Sequence, residues 1–319
     1  MKNMQFSIFS IYILSICIGL SSQSWMMMWM SLEVNLLSFI FIILSSPSFL
    51  SIESTMKYFM IQSLGSLILL CALSMSSFFN SNFDMYAVIP LTALMLKSGI
   101  APLHSWVPNI LKNFPTLPFF LFLTMQKLVP TFILFSSWFN MLWLIILMNI
   151  IIGSISAIIF SSFKTIMLFS SINNIGWMFL SMNNITLFMM FFSVYLLMNF
   201  IMMKFINNNN VNWITQIKSF NIFSKMTLFT VLSSMSGLPP FMGFLPKWII
   251  IKNTFFQIPM IVITGLLCSV LTLFFYFKMM LSMIILSSSH LKWKIKNTTN
   301  SSFFLMMNFL TPFLFLILT

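Results

Sequence analysis

The sequence predicts an all-α polytopic membrane protein: one transmembrane domain over residues 1–319 with about eleven spans, two of them broken and related as inverted repeats. Three observations predict it. First, 60% of the residues are hydrophobic and only 6% charged, against a usual charged share of about 25% in soluble domains. Second, apolar runs follow one another along the chain, each near the roughly 20 residues that a bilayer crossing needs. Third, proline and lysine recur together inside three of those runs, where lipid-exposed irregular backbone is not tolerated.

In order, the runs predict spans at about 5–22, 24–45, 55–78, 85–107, 116–137, 139–160, 163–182, 185–206, 223–251, 257–286 and 302–318. The fourth contains Pro102, and the ninth contains Pro239, Pro240 and Pro246; a proline removes a backbone donor and breaks or kinks a helix. Pro102 is expected to free the carbonyl of Ser98. In the fifth, Pro130 is expected to free that of Gln126.

The charges set an orientation. All fifteen basic residues are lysine. On the span count above, Lys2, Lys57, Lys112, Lys164, Lys204, Lys218, Lys225, Lys292, Lys294 and Lys296 fall on or beside loops on the N-terminal side, and only Lys252 on the other. The positive-inside rule then places the N-terminus in the compartment of synthesis and the C-terminus opposite. The formal charge of +12 reads as this topology signal, with attraction to anionic lipid as a by-product. It does not read as nucleic-acid binding, because the lysines are dispersed over loops and make no basic face. The chain enters its first span directly after Met1-Lys2-Asn3-Met4-Gln5, without an Arg-rich presequence or a cleavable signal. Its crowding with Phe, Met, Ile, Asn and Lys follows AT-rich codons and points to an organelle genome, so the methionines read as drift among apolar residues.

Four lysines are left over. Lys278 lies near the end of its span, where its head can snorkel to the headgroups. Lys97, Lys127 and Lys247 lie deep. An ionisable group at the centre of a span costs roughly 2.5 to 3.5 kcal/mol on insertion scales, so it faces a bundle interior or a wet cavity and marks an ion path. Each has a proline close by: Pro102, Pro130 and Pro246. Glu33, one of only three acidic residues, lies at mid-span in the second run. The bland alternatives are a snorkelling lysine and a chance neighbour among twelve prolines. Against chance stands a repeat: Ser98-Gly99-Ile100-Ala101-Pro102-Leu103 and Ser236-Gly237-Leu238-Pro239-Pro240-Phe241 lie 138 positions apart. Five spans separate them, so the two cross the membrane in opposite senses, as in transporters whose broken helices mark the transport site.

Several chemistries are not encoded. Cys17, Cys71 and Cys268 lie in separate apolar runs with no paired spacing. His104 and His290 make no metal site by themselves, and no phosphate loop or dinucleotide fingerprint appears.

Taken together, the stretch Leu32 to Phe39, Lys57-Tyr58-Phe59, the stretch Lys97 to Pro108, Gln126-Lys127-Leu128-Val129-Pro130, Ser170 to Met178 and Ser236 to Trp248 resemble, in order and over nearly the whole length, subunit 2 of the proton-pumping NADH:ubiquinone oxidoreductase, respiratory complex I. The resemblance implies an antiporter-like fold of two inverted five-helix repeats, with the ancestral first three helices missing as in animal versions. It implies a proton relay in which Glu33 pairs with Lys97, Lys127 is the central lysine and Lys247 faces the output side; His104 is a candidate on the path between the first two lysines. It implies an inner mitochondrial membrane location, other membrane-arm subunits as partners (neighbouring antiporter-like and small hydrophobic ones), and no cofactor on this chain. NADH, FMN, iron–sulfur clusters and ubiquinone would sit on other subunits. Two positions depart from the family: Asn174 stands where a histidine is frequent, and Asn109 where glutamate is frequent. The rival readings are a free-standing cation/proton antiporter, and a structural spacer whose lysines are silent.

Overall fold

The computed structural model describes residues 2–78, 84–137, 142–181, 184–209 and 222–285. The expected span 302–318 and the residues Lys218, His290, Lys292, Lys294 and Lys296 lie outside these. Among the described residues every regular element is a helix; there are no strands.

Thirteen helices are described: α1 (Lys2–Ser21), α2 (Trp25–Leu44), α3 (Phe49–Phe78), α4 (Asp84–Ser98), α5 (Trp106–Leu111), α6 (Thr116–Leu123), α7 (Met125–Ser137), α8 (Leu142–Ile159), α9 (Phe163–Leu180), α10 (Ile185–Asn209), α11 (Ile222–Ser236), α12 (Phe244–Thr254) and α13 (Pro259–Ile285). They fall into two compact units, Met1–Leu142 and Trp143–Thr319. Among the described residues six stretches are long and apolar enough to cross a bilayer: Trp25–Leu44, Phe49–Met75, Thr116–Ser137, Leu142–Ile159, Ile185–Asn208 and Pro259–Leu281. Large apolar side chains stand exposed around them, such as Phe49, Leu144 and Phe274. A surface of that kind is suited to lipid rather than water.

In the first unit, α2 shows how the sequence selects its buried face. Ser24 caps it by accepting from the Met27 amide at 3.4 Å, which satisfies one of the four orphan donors of a helix start. Leu32, Asn35, Leu36, Phe39, Ile42 and Ile43 are buried, the i, i+3, i+4 spacing of one helical face. That face meets an aromatic cluster: Phe39 lies 5.4 Å from Tyr58, 6.1 Å from Tyr12 and 6.2 Å from Phe114, ring centre to ring centre. Glu33 follows Leu32 at the edge of the stripe. It is therefore placed beside the core without being sunk in it. Helix α1 packs on α2, α2 on α3, α3 on α4, and α4 on α7.

In the second unit, α9 is the interior helix; all its residues except Lys164 are buried. Glycines let α8 come close to it. A Cβ on Gly153 would stand 2.6 Å from the Asn173 backbone nitrogen, and one on Gly176 would stand 2.5 Å from Ile150 Cγ1. Helix α10 packs against α9, α11 and α12, and α13 against α11 and α12.

Three expected spans are interrupted. The fourth is divided into α4 and α5, and the ninth into α11 and α12, at the Ser-Gly repeats. The fifth is divided into α6 and α7 at Thr124 (φ −113°, ψ −81°), three residues before Lys127. That break was not expected, because threonine is no helix breaker. Its hydroxyl bonds the Phe120 carbonyl at 2.9 Å, the local competition by which a Ser or Thr inside a helix bends it. Pro130 lies within α7.

Candidate functional site

The helix α4 ends one residue before a glycine whose φ is +66°. Gly99 donates to the Leu96 carbonyl at 3.3 Å and Ile100 to that of Met95 at 3.2 Å. This is the Schellman termination, which needs a left-handed residue that glycine adopts without a Cβ clash. α11 ends in the same way. Gly237 has φ +85°, donates to the Ser234 carbonyl at 3.1 Å, and is followed by Leu238 donating to Ser233 at 3.2 Å. The repeated Ser-Gly-aliphatic pattern is thus the code of a helix stop. The stop is set by the glycine, three residues earlier than the Pro102 break expected from sequence; Ser98 is already the last helical residue.

A Schellman stop leaves the carbonyls of the last two helical residues without helical partners. At the first break one of them, that of Lys97, accepts from Gln62 Nε2 at 3.0 Å. The lysine's own head turns to Glu33, with Nζ 3.3 Å from Oε1. The Lys97 side chain is 3% exposed and that of Glu33 27%. At this separation Coulomb attraction is about 5 kcal/mol with an effective dielectric constant of about 20. Desolvation of the buried Lys97 ammonium costs several kcal/mol, part of which the carboxylate offsets.

Lys127 lies on the first turn of α7, buried among Leu128, Val129 and Pro130. Its carbonyl accepts from Thr131 Oγ1 at 2.6 Å, the back-bond to the preceding turn that a helical threonine makes. The neighbouring Gln126 has a buried Nε2 with no hydrogen-bond partner among the described residues.

At the second break Lys247, buried on α12, donates to the carbonyls of Ser236 at 2.9 Å and Met235 at 3.5 Å. Its stem lies over Gly237, where a Cβ would stand 3.0 Å from Lys247 Cδ. Its head is 5.8 Å from the ring centre of Trp177. Beside it is a cavity of about 20 Å³ lined by Asn174, Tyr195, Ser234 and Lys247, among others. A cavity of this size has room for about one water molecule; Phe191, Val194, Met198, Met235 and Pro246 complete its lining and make most of it apolar.

The other candidates fall as follows. His104 is half-buried on the loop between α4 and α5, its Nδ1 3.2 Å from the Pro102 carbonyl oxygen. Asn109 is exposed on α5, and Lys278 is exposed on α13. The first unit brings Glu33 and Lys97 together, and the second brings Asn174 to the cavity beside Lys247. Sequence reasoning missed Gln62 and Gly65 on α3, and Gly243 ahead of α12. The signal for Gln62 was present: it is a strongly polar side chain near the middle of the apolar run Phe49–Met75.

Two glycine-stopped helices, each with a buried lysine at the stop, among described elements that are all helical and present a lipid-suited surface, define an antiporter-like membrane protein. The chain belongs to the family of NADH:quinone oxidoreductase and Mrp antiporter transmembrane proteins, whose family model matches residues 22–274. It is 35% identical to NADH-ubiquinone oxidoreductase chain 2 of Anopheles gambiae, over 98% of this chain and 96% of that one. To chain 2 of Aedes aegypti it is 35% identical over 100% and 98% of the two chains, and to that of Lumbricus terrestris 31% over 95% and 92%. In fold it is similar to a chain of respiratory complex I from Thermus thermophilus, with a TM-score of 0.80 at 16% identity over 94% of this chain and 74% of that one. A chain of the Mrp complex from Dietzia matches with a TM-score of 0.75 at 14% identity, over 92% and 65%. The resemblance read from the sequence motifs is borne out.

Proposed function

We propose that this chain is a core membrane-arm subunit of the proton-pumping NADH:ubiquinone oxidoreductase, carrying protons across the inner mitochondrial membrane while electrons pass from NADH to ubiquinone in other subunits. Its partners are the neighbouring antiporter-like and small hydrophobic subunits of that arm. NADH, FMN, iron–sulfur clusters and ubiquinone are bound by other subunits. The chain is organelle-encoded and multi-pass, with its N-terminus in the matrix and its C-terminus in the intermembrane space.

The observation that carries this reading is the Glu33–Lys97 pair at the first helix stop, 3.3 Å apart with the lysine side chain 3% exposed. A buried ammonium is held in its charged form by a nearby carboxylate. Drawing Glu33 away removes that support and drives the proton off Lys97; the proton is passed by Lys127 and leaves through Lys247, with His104 a further candidate on the path. Waters held by serine and asparagine side chains and by the carbonyls at the helix stops carry it between these residues.

Lys97→Met is expected to lower the protons pumped per electron severalfold in inner-membrane vesicles while the complex assembles normally. Unchanged pumping with normal assembly would overturn the relay. A second expectation concerns the cavity. Asn174→Leu fills it with an apolar side chain, whereas Asn174→Ala leaves room for water. The leucine variant is expected to lose several-fold more pumping than the alanine variant at equal assembly. Equal losses would mean that the asparagine, rather than water, is what matters there.

A further inference from the structure

The two helix stops leave equivalent carbonyls to be capped, and they are capped differently. At the second, the lysine itself does it: Lys247 Nζ reaches the carbonyls of Met235 and Ser236. At the first, the Lys97 carbonyl is taken by the neutral amide of Gln62 from 35 residues away. The Lys97 ammonium is thereby left for Glu33.

Gln62 is 4% exposed, near the middle of α3. Three residues on, Gly65 faces the same lysine: a Cβ there would stand 3.1 Å from Lys97 Cγ and 3.2 Å from Leu96 Cδ2. The i, i+3 spacing puts both on one stripe of α3. That stripe holds Lys97 at two points, its backbone through the Gln62 amide and its alkyl stem in the notch at Gly65. With carbonyl and stem fixed, the direction of the ammonium is restricted before any counter-charge is met.

We propose that Gln62 is a positioning residue for the proton-carrying Lys97, with Gly65 as the notch that seats its stem. The proposal rests on the relay reading above. Its chemical sense lies in neutrality. An amide cap holds the stop equally well whether or not Lys97 carries a proton, so the lysine is free to exchange its proton without loosening the backbone that bears it. A capping role without positioning would cost stability alone. Positioning shows instead as a split between electron transfer and pumping, and as dependence on Lys97.

The test uses the assembled complex, with Gln62→Met, which keeps the volume and removes the donor, alone and combined with Lys97→Met. NADH oxidation rate, protons pumped per electron and amount of assembled complex are measured in vesicles. Gln62→Met is expected to lower protons per electron severalfold at normal assembly and to add nothing to the loss in Lys97→Met, since coupled sites are non-additive. Normal pumping by Gln62→Met, or a loss that adds in full to that of Lys97→Met, overturns the proposal. If Gln62→Met does not assemble, Gly65→Ala decides it: a milder fall in protons per electron supports the proposal, and unchanged pumping overturns it. Normal pumping by Lys97→Met itself overturns the relay and this proposal together, whereas an impaired Lys97→Met beside a normal Gln62→Met overturns the positioning role alone.

Discussion

Replacing Gly243 with alanine is expected to deplete the assembled protein more than any other single methyl added to the described helices. Gly243 is the N-cap of α12 and has ordinary helical dihedrals (φ −73°, ψ −12°), so backbone freedom is not what the position requires. Space is the requirement. A Cβ at this position would lie 1.8 Å from the carbonyl oxygen of Ser234 and 2.9 Å from its carbonyl carbon, distances that no rotamer relieves because both atoms are backbone. Moreover, the Ser234 carbonyl is already engaged by the Gly237 amide at 3.1 Å, so pushing it aside disturbs the stop itself. Overpacking a fitted core costs about 1 to 3 kcal/mol, occasionally more, and here the strain falls on backbone rather than on a side chain that can turn. Lys247 lies one turn further along α12 and moves with it, away from the Ser236 carbonyl that it holds at 2.9 Å. Immunodetection of the complex on native gels, Gly243→Ala beside Gly99→Ala, checks this. The latter meets only side-chain atoms, 2.6 Å from Val107 Cγ2 at the nearest, but strains a φ of +66°. Wild-type levels of assembled Gly243→Ala would show that α12 is free to shift.

How much of this was legible in the sequence depends on the range of the interaction. The two helix stops were legible because their cause is local: a serine, a glycine and an aliphatic residue in sequence make a Schellman stop wherever they occur after a helix. Their exact position was misread, since proline was given the part that Gly99 plays. The deep lysines were legible because charge is so scarce in this chain that each instance asks for a reason. The proximity of Glu33 to Lys97, by contrast, followed from family resemblance and not from spacing; 64 residues separate them, and nothing in either helix names the other. Gln62, Gly65 and Gly243 were not read at all. A glycine that makes room for another helix leaves no periodic signature, and a single buried glutamine looks like any polar residue in an apolar run until its partner is known. The Thr124 break was missed for a related reason, as a threonine hydroxyl competing for a carbonyl is one of several options open to that side chain.

At Lys247 the two duties of the residue can be separated by choice of substitution. Lys247→Met fills the same space but leaves the carbonyls of Ser236 and Met235 without their donor. A buried unpartnered group costs about 1 to 3 kcal/mol, whereas hydrogen bonds in membrane proteins average about 0.6 kcal/mol by double-mutant cycles. The adjacent cavity of about 20 Å³ can admit a water to serve one of the two carbonyls, which favours the lower end. The expected result is a complex that assembles, unfolds at a lower temperature, and pumps far fewer protons per electron. Lys247→Arg restores the donors and the cation at the end of α11, where a positive charge is favourable. A guanidinium, however, does not give up its proton in a protein. The arginine variant should therefore recover most of the thermal stability without recovering pumping. Thermal inactivation and proton-to-electron ratios measured on the same two preparations make the comparison. Wild-type pumping by Lys247→Arg would mean that release of a proton from this position is not a step of transport, and that Lys247 serves as a helix cap alone.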